Sequence, residues 1–218
     1  MRKPLLALAV GVATLVAAAP ASAQIIELGD ISNLPTPSCP GASCAAVTRT
    51  TGVQVLAGGR RGAYTSPMDG RLVGVTLKLG NPNAAEIAYF NAHAGNGSTI
   101  QVSVLRPARS ANLFHQVGVS ETFSLDRWFG QTVQFALAQT VPLRKGDVIG
   151  LTVPTWAPVL AVQQGNSSAW RASRRSKQCA PANVFTQTAL TVAPKFARFQ
   201  CVYQTARLTF GATIIATP

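Results

Sequence analysis

Apolar and polar residues alternate with a period of two along much of the chain. Over residues 71–79, Val73, Val75, Leu77 and Leu79 fall on one side, and Gly74, Thr76 and Lys78 on the other. Ile100, Val102 and Val104 alternate with Gln101 and Ser103, and Val133, Phe135 and Leu137 with Gln134, Ala136 and Ala138. The pattern recurs at Ile149, Leu151 and Val153, at Phe199, Cys201 and Tyr203, and at Leu208, Phe210, Ala212 and Ile214. Successive side chains of a strand point to opposite faces, so each stretch predicts a strand with one buried side. Apolar runs at 53–56, 114–119, 159–162 and 189–192 predict weaker strands. Turn formers separate them: Asp69-Gly70 leads into one strand and Lys145-Gly146-Asp147 into another. Only residues 83–92 carry a helical pattern, within an excursion between strands. About eight to ten short strands without helical crossovers predict an all-β fold, an antiparallel sandwich or barrel.

The first residues obey a different pattern. Arg2 and Lys3 precede an unbroken apolar run over residues 5–18, followed by Pro20 and Ala21-Ser22-Ala23. A basic start, a short apolar core and a small-residue site make a signal peptide with cleavage after Ala23. The run is shorter than the roughly 20 apolar residues a membrane span needs. Residues 148–170 also lack charge, but Pro154, Pro158 and the polar stretch at 163–168 break them up, so no transmembrane segment is expected after processing. The expected organisation is therefore a signal peptide at 1–23, an arm over 24–50 containing Cys39 and Cys44, and one sandwich domain over 51–218. The destination is secretion or the extracytoplasmic envelope.

Charge sharpens the picture. The chain of 218 residues is 12% charged and carries a formal net charge of +12. Beyond residue 23, seventeen Lys and Arg face seven acids, a net of about +10. With 47% apolar residues the chain is neither disordered nor a charged coiled coil. Four cysteines in an exported chain favour two disulfides. Of three possible pairings, Cys39–Cys44 and Cys179–Cys201 are favoured, the first because Pro40 and Gly41 suit a small loop. No CxxC spacing exists and the two histidines are remote in sequence, so neither a zinc site nor any other metal or cofactor is expected.

Ser66-Pro67-Met68-Asp69-Gly70, then Val102-Ser103-Val104-Leu105-Arg106-Pro107, then residues 142–151, Pro-Leu-Arg-Lys-Gly-Asp-Val-Ile-Gly-Leu, resemble a type of exported bacterial β-sandwich domain. Its layout is similar to that of jelly-roll carbohydrate-binding modules. The resemblance covers roughly residues 50–216 and implies a jelly-roll-like sandwich; its motifs are turns and strands, and they carry over no binding residue.

Catalytic chemistry has few candidates. Asp69 and Asp147 sit in Gly turns, and Glu27 and Asp30 on the arm, which leaves Glu86, Glu121 and Asp126 for a hydrolytic carboxylate pair. His93 lies in a Gly- and Asn-rich stretch and His115 beside Phe114. No nucleophile elbow, zinc-binding helix or phosphate loop occurs, and no catalytic residue is assigned. Two stretches suggest binding. Trp170, Arg171, Arg174, Arg175 and Lys177 put four cations in seven residues beside an indole, suited to acidic polysaccharide or cell-wall polymer. Alternatively, the cluster is a solvated loop. Trp156, set between prolines, offers a flat face to a sugar ring or else closes the end of the core; Trp128 and Tyr64 are further aromatics. The leading reading is a non-enzymatic exported binder of an anionic or carbohydrate polymer, with no dedicated nucleic-acid partner. A secreted glycan hydrolase and a structural envelope subunit are the alternatives.

Overall fold

A computed structural model of the protein describes residues 24–42, 44–180 and 183–216. The expected signal peptide, residues 1–23, lies outside them. The described chain is an all-β sandwich of antiparallel sheets with one α-helix. The smaller sheet has β1 (Ile25–Leu28), β14 (Phe210–Ala216), β3 (Gly70–Lys78) and β7 (Thr132–Leu143), paired in that order. The larger sheet runs β11 (Lys195–Arg198), β5 (Leu113–Val119), β4 (Thr99–Pro107), β8 (Val148–Ala157), β2 (Val47–Leu56), β10 (Ala169–Ala172), β12 (Cys201–Gln204). A short β6 (Phe123–Ser124) adds to β4, and β9 (Leu160–Ala161) pairs with β13 (Arg207–Leu208).

The period-two residues form the core between the sheets. Ile100, Val102 and Val104 of β4 and Ile149, Leu151 and Val153 of β8 meet Val75 and Leu77 of β3 and Phe210, Ala212 and Ile214 of β14. Full burial of each large aliphatic side chain contributes about 1.5–3 kcal/mol. One detail departs from the sequence pattern. Val73 is skipped in the pairing of β3 with both neighbours, so Leu72, not Val73, enters the core. An extra residue in a ladder shifts the alternation by one, which no composition rule registers.

Three expectations need correction. Residues 24–50 are not an arm outside the domain: β1 forms the edge of the smaller sheet on β14, and β2 begins at Val47. The run at 208–214 is split at Thr209, whose N–H donates to Val159 O, so that the chain passes from β9 to β3. Residues 189–192 are irregular rather than a strand. They lie over the outer face of the larger sheet, where Leu190 packs on Val53, Leu105 and Phe199. A row of polar groups fixes this cover. The hydroxyls of Thr51 and Thr152 are 2.8 Å apart and those of Thr152 and Ser103 2.6 Å. Gln116 Nε2 donates to Ser103 Oγ and to Leu190 O, and Leu190 N–H donates to Thr51 Oγ1. Buried polar groups need such partners, and here the covering loop supplies the Leu190 carbonyl to Gln116 and the Leu190 N–H to Thr51.

The helix α1 (Ala84–Ala94) falls where the sequence places it. Asn83 accepts the Glu86 N–H while the Glu86 carboxylate accepts the Asn83 N–H, a capping box that satisfies two otherwise orphaned donors. Phe90 and Ala94 then pack on Trp156. Elsewhere, Tyr64 is wholly buried with its hydroxyl donating to Phe210 O at 2.6 Å. Its ring fills the space over Gly29, where φ is +93° and an added Cβ would stand 2.5 Å from the ring.

Candidate functional site

The expected disulfides are present. Cys39–Cys44 closes a five-residue separation and Cys179–Cys201 a separation of 22, leaving no free cysteine among the described residues. Two disulfides point to an extracytoplasmic protein, and no helix among the described residues is long and apolar enough to cross a membrane.

The basic stretch that follows Ala169 is not a free loop. Trp170 and Ala172 belong to β10, and the alternation carries past its end: Trp170, Ala172 and Arg174 are buried while Arg171 and Ser173 are half-exposed. Arg175 and Lys177, in a one-turn 3-10 segment over Ser176–Gln178, are exposed. The six residues singled out in the sequence therefore go to four different places.

Arg175 and Lys177 line an open groove of about 920 Å³ together with Lys195, Phe196 and Arg198 of the edge strand β11. Among the described residues, four cations and no carboxylate line it. Phe196 is 61% exposed and stacks on the His115 ring, with centroids 4.2 Å apart and planes 8° apart. The Cys179–Cys201 bond ties this turn to β12, and the Ser176 N–H donates to Gln200 Oε1 at 3.1 Å. Neither Lys195 nor Phe196 stands out in the sequence. Their short alternation is visible only as an unremarkable Lys-Phe-Ala-Arg.

Trp170 and Arg174 turn the other way, into a pocket of about 630 Å³ bounded by α1, the start of β2 and residues 184–185. The Trp170 ring stacks on Tyr203 across the β10–β12 ladder, with centroids 4.5 Å apart. The Arg174 guanidinium is 3% exposed and donates to Tyr203 Oη at 2.7 Å, Thr48 O at 2.8 Å and Val184 O at 3.3 Å. Among the described residues it forms no ion pair, the single such pair being Arg106 with Asp147. Tyr89, half-exposed, and Phe185 form the aromatic rim, with ring centroids 6.0 Å apart. Glu86 lines the same pocket, its oxygens holding the Gly41 and Asn83 N–H groups.

Arg171 occupies a third surface, a shallow depression it shares with Arg61, and donates to Phe199 O at 3.2 Å. Trp156 corrects the stacking expectation outright. It is fully buried, stacked on Phe90 at 5.0 Å and tilted against Phe129, with its indole N–H donating to Asn91 Oδ1 at 2.8 Å. It fills the space beneath the helix: the Val47–Ala157 pair faces the core between the sheets, so the neighbouring Thr48–Trp156 pair faces the other side, where the indole joins Phe90 and Ala94. Trp128 is half-buried edge-on to Phe135, and Tyr64 is internal.

The carboxylates considered for hydrolysis are committed to backbone donors. Glu86 accepts the Asn83 and Gly41 N–H groups, Glu121 accepts the Ala138 N–H at 2.6 Å, and Asp126 accepts the Ser98 N–H and the Ser124 hydroxyl. His93 Nδ1 lies 2.7 Å from Tyr89 O at the exposed end of the helix. Among the described residues no cluster of three or more His, Cys, Asp or Glu side chains is arranged to hold a metal ion.

These features define a disulfide-bonded all-β sandwich with a basic groove on one side and an aromatic pocket on another. Comparisons with protein-family models, with curated proteins and with solved structures find no match to this chain.

Proposed function

We propose that the protein is an exported, non-enzymatic binder of an anionic polysaccharide or wall polymer, and that the groove between the 176–178 turn and β11 is its contact surface. The observation that carries this reading is the convergence of Arg175, Lys177, Lys195 and Arg198 on one groove that no carboxylate among the described residues lines. Cations that converge without an internal counter-charge raise the local concentration of an anionic ligand. Arg175 and Arg198 bring planar forks suited to carboxylate or phosphate oxygens. Exposed Phe196, held flat by His115, adds an apolar face of the kind that packs on a sugar ring. The jelly-roll-like resemblance agrees with this reading.

The test is retention on immobilised polygalacturonate across a salt gradient. Exposed charge pairs are screened within about 8–10 Å at 0.1–0.15 M salt. The wild type should therefore be retained at low salt and released as salt rises. A variant carrying Arg175→Ala, Lys177→Ala, Lys195→Ala and Arg198→Ala should emerge in the low-salt wash. Retention of that variant at the wild-type position would refute the assignment.

A further inference from the structure

A buried cation without a counter-ion is costly unless something neutralises it, and Arg174 is one. Its guanidinium is almost wholly inside the protein, its three protein partners are neutral oxygens, and its Nε has no partner among the described residues. The adjoining Trp170 indole N–H is buried and equally without a partner. Both side chains line the same 630 Å³ pocket. A buried guanidinium without a counter-charge, forming part of the wall of a preformed cavity beside the indole, marks a place where a ligand carboxylate belongs.

The rest of the pocket narrows the ligand. Among the described residues, Arg174 is the one cationic side chain lining it. Glu86 lines it too, and its negative charge disfavours a second anionic group. Between them the wall is apolar: Ala46, Val47, Leu160, Phe90 and Phe185. The Cys39–Cys44 loop anchors the near side, since the Gly41 N–H is held by Glu86 at 2.9 Å. We infer that this pocket binds a monocarboxylate with an extended apolar body, its carboxylate seated against Arg174 and Trp170 and its body along the aromatic and aliphatic wall.

This site is separate from the basic groove, which Arg175 and Lys177 line without Trp170 or Arg174. Calorimetric titration with dodecanoate and with the isosteric neutral dodecanol tests the inference on the full mature chain. Dodecanoate should bind at least tenfold more tightly than dodecanol, as expected for a charge-assisted contact in a desolvated site. Arg174→Gln should reduce dodecanoate affinity to the level of the alcohol. Because Arg174 also bonds two backbone carbonyls, Ala85→Trp provides a second test from an exposed helix position at the pocket mouth; it should abolish binding of both compounds while leaving the fold intact. The groove variant lacking Arg175, Lys177, Lys195 and Arg198 should bind dodecanoate as the wild type does. Equal affinity for acid and alcohol, no dodecanoate binding, or binding undiminished in Ala85→Trp would each overturn the inference.

Discussion

Tyr64 offers a quantitative test of the packing where the two ends of the described chain meet. Its hydroxyl is sealed between β14 and the turn after β1, donating to Phe210 O. Burial pushes its pKa up from 10.0 to about 12, partly opposed by the nearby Arg207 guanidinium. Replacing it with Phe leaves the Phe210 carbonyl without that donor, which costs about 1–2 kcal/mol at pH 8. The sign then reverses with alkali. In the unfolded chain Tyr64 ionises near 10, whereas in the folded chain it keeps its proton up to about 12. Between those values the unfolded state binds fewer protons, so folding stability falls as pH rises. The loss contributed by this one group is about 1.4 kcal/mol by pH 11 and about 2.3 kcal/mol by pH 12. Tyr64→Phe lacks this loss. Urea unfolding measured at pH 8, 10, 11 and 12 should show the variant less stable at pH 8, level with the wild type near pH 11, and the more stable of the two at pH 12. Parallel stability curves over the whole range would refute the reasoning, since they would mean that the hydroxyl ionises as readily inside as outside.

Two further outcomes follow from the packing. Asp147 is 1% exposed and accepts from Arg106 Nε and Nη2 at 2.8–2.9 Å and from the Arg144 N–H at 2.8 Å; Asp147→Ala should cost about 2–3 kcal/mol in urea unfolding, less than the ~3–5 kcal/mol of a fully buried pair because Arg106 is 36% exposed and regains water. A loss under about 0.5 kcal/mol would mean that the pair contributes no more than a surface one. Trp156→Ala should cost about 3–5 kcal/mol by opening a cavity beneath α1, yet leave retention on polygalacturonate unchanged at temperatures where the variant is folded; a selective loss of retention would return Trp156 to the binding surface.

The sequence by itself determined the class of fold, because a period of two survives any rearrangement of strands in space. Ile100 to Val104, Ile149 to Val153 and Phe210 to Ile214 read as core in the chain and are core in the sandwich. It also placed the helix, whose Asn83 and Glu86 capping chemistry is local, and favoured the cysteine pairing found, while leaving the two other pairings open. What the sequence left open depended on contacts between distant segments. The extra residue at Val73, the splitting of β13 from β14 at Thr209, and the cover of 189–192 each answer to a partner strand or loop, not to their own neighbours in the chain. The same holds for the candidate sites. A run of Arg and Lys beside a Trp reads as one patch, but the alternation of β10 buries Trp170 and Arg174 at a pocket, while the 3-10 turn after it carries Arg175 and Lys177 to a groove. Lys195 and Arg198 reach that groove only because β11 pairs at the edge of the sheet, a placement set by tertiary hydrogen bonding that no local pattern encodes.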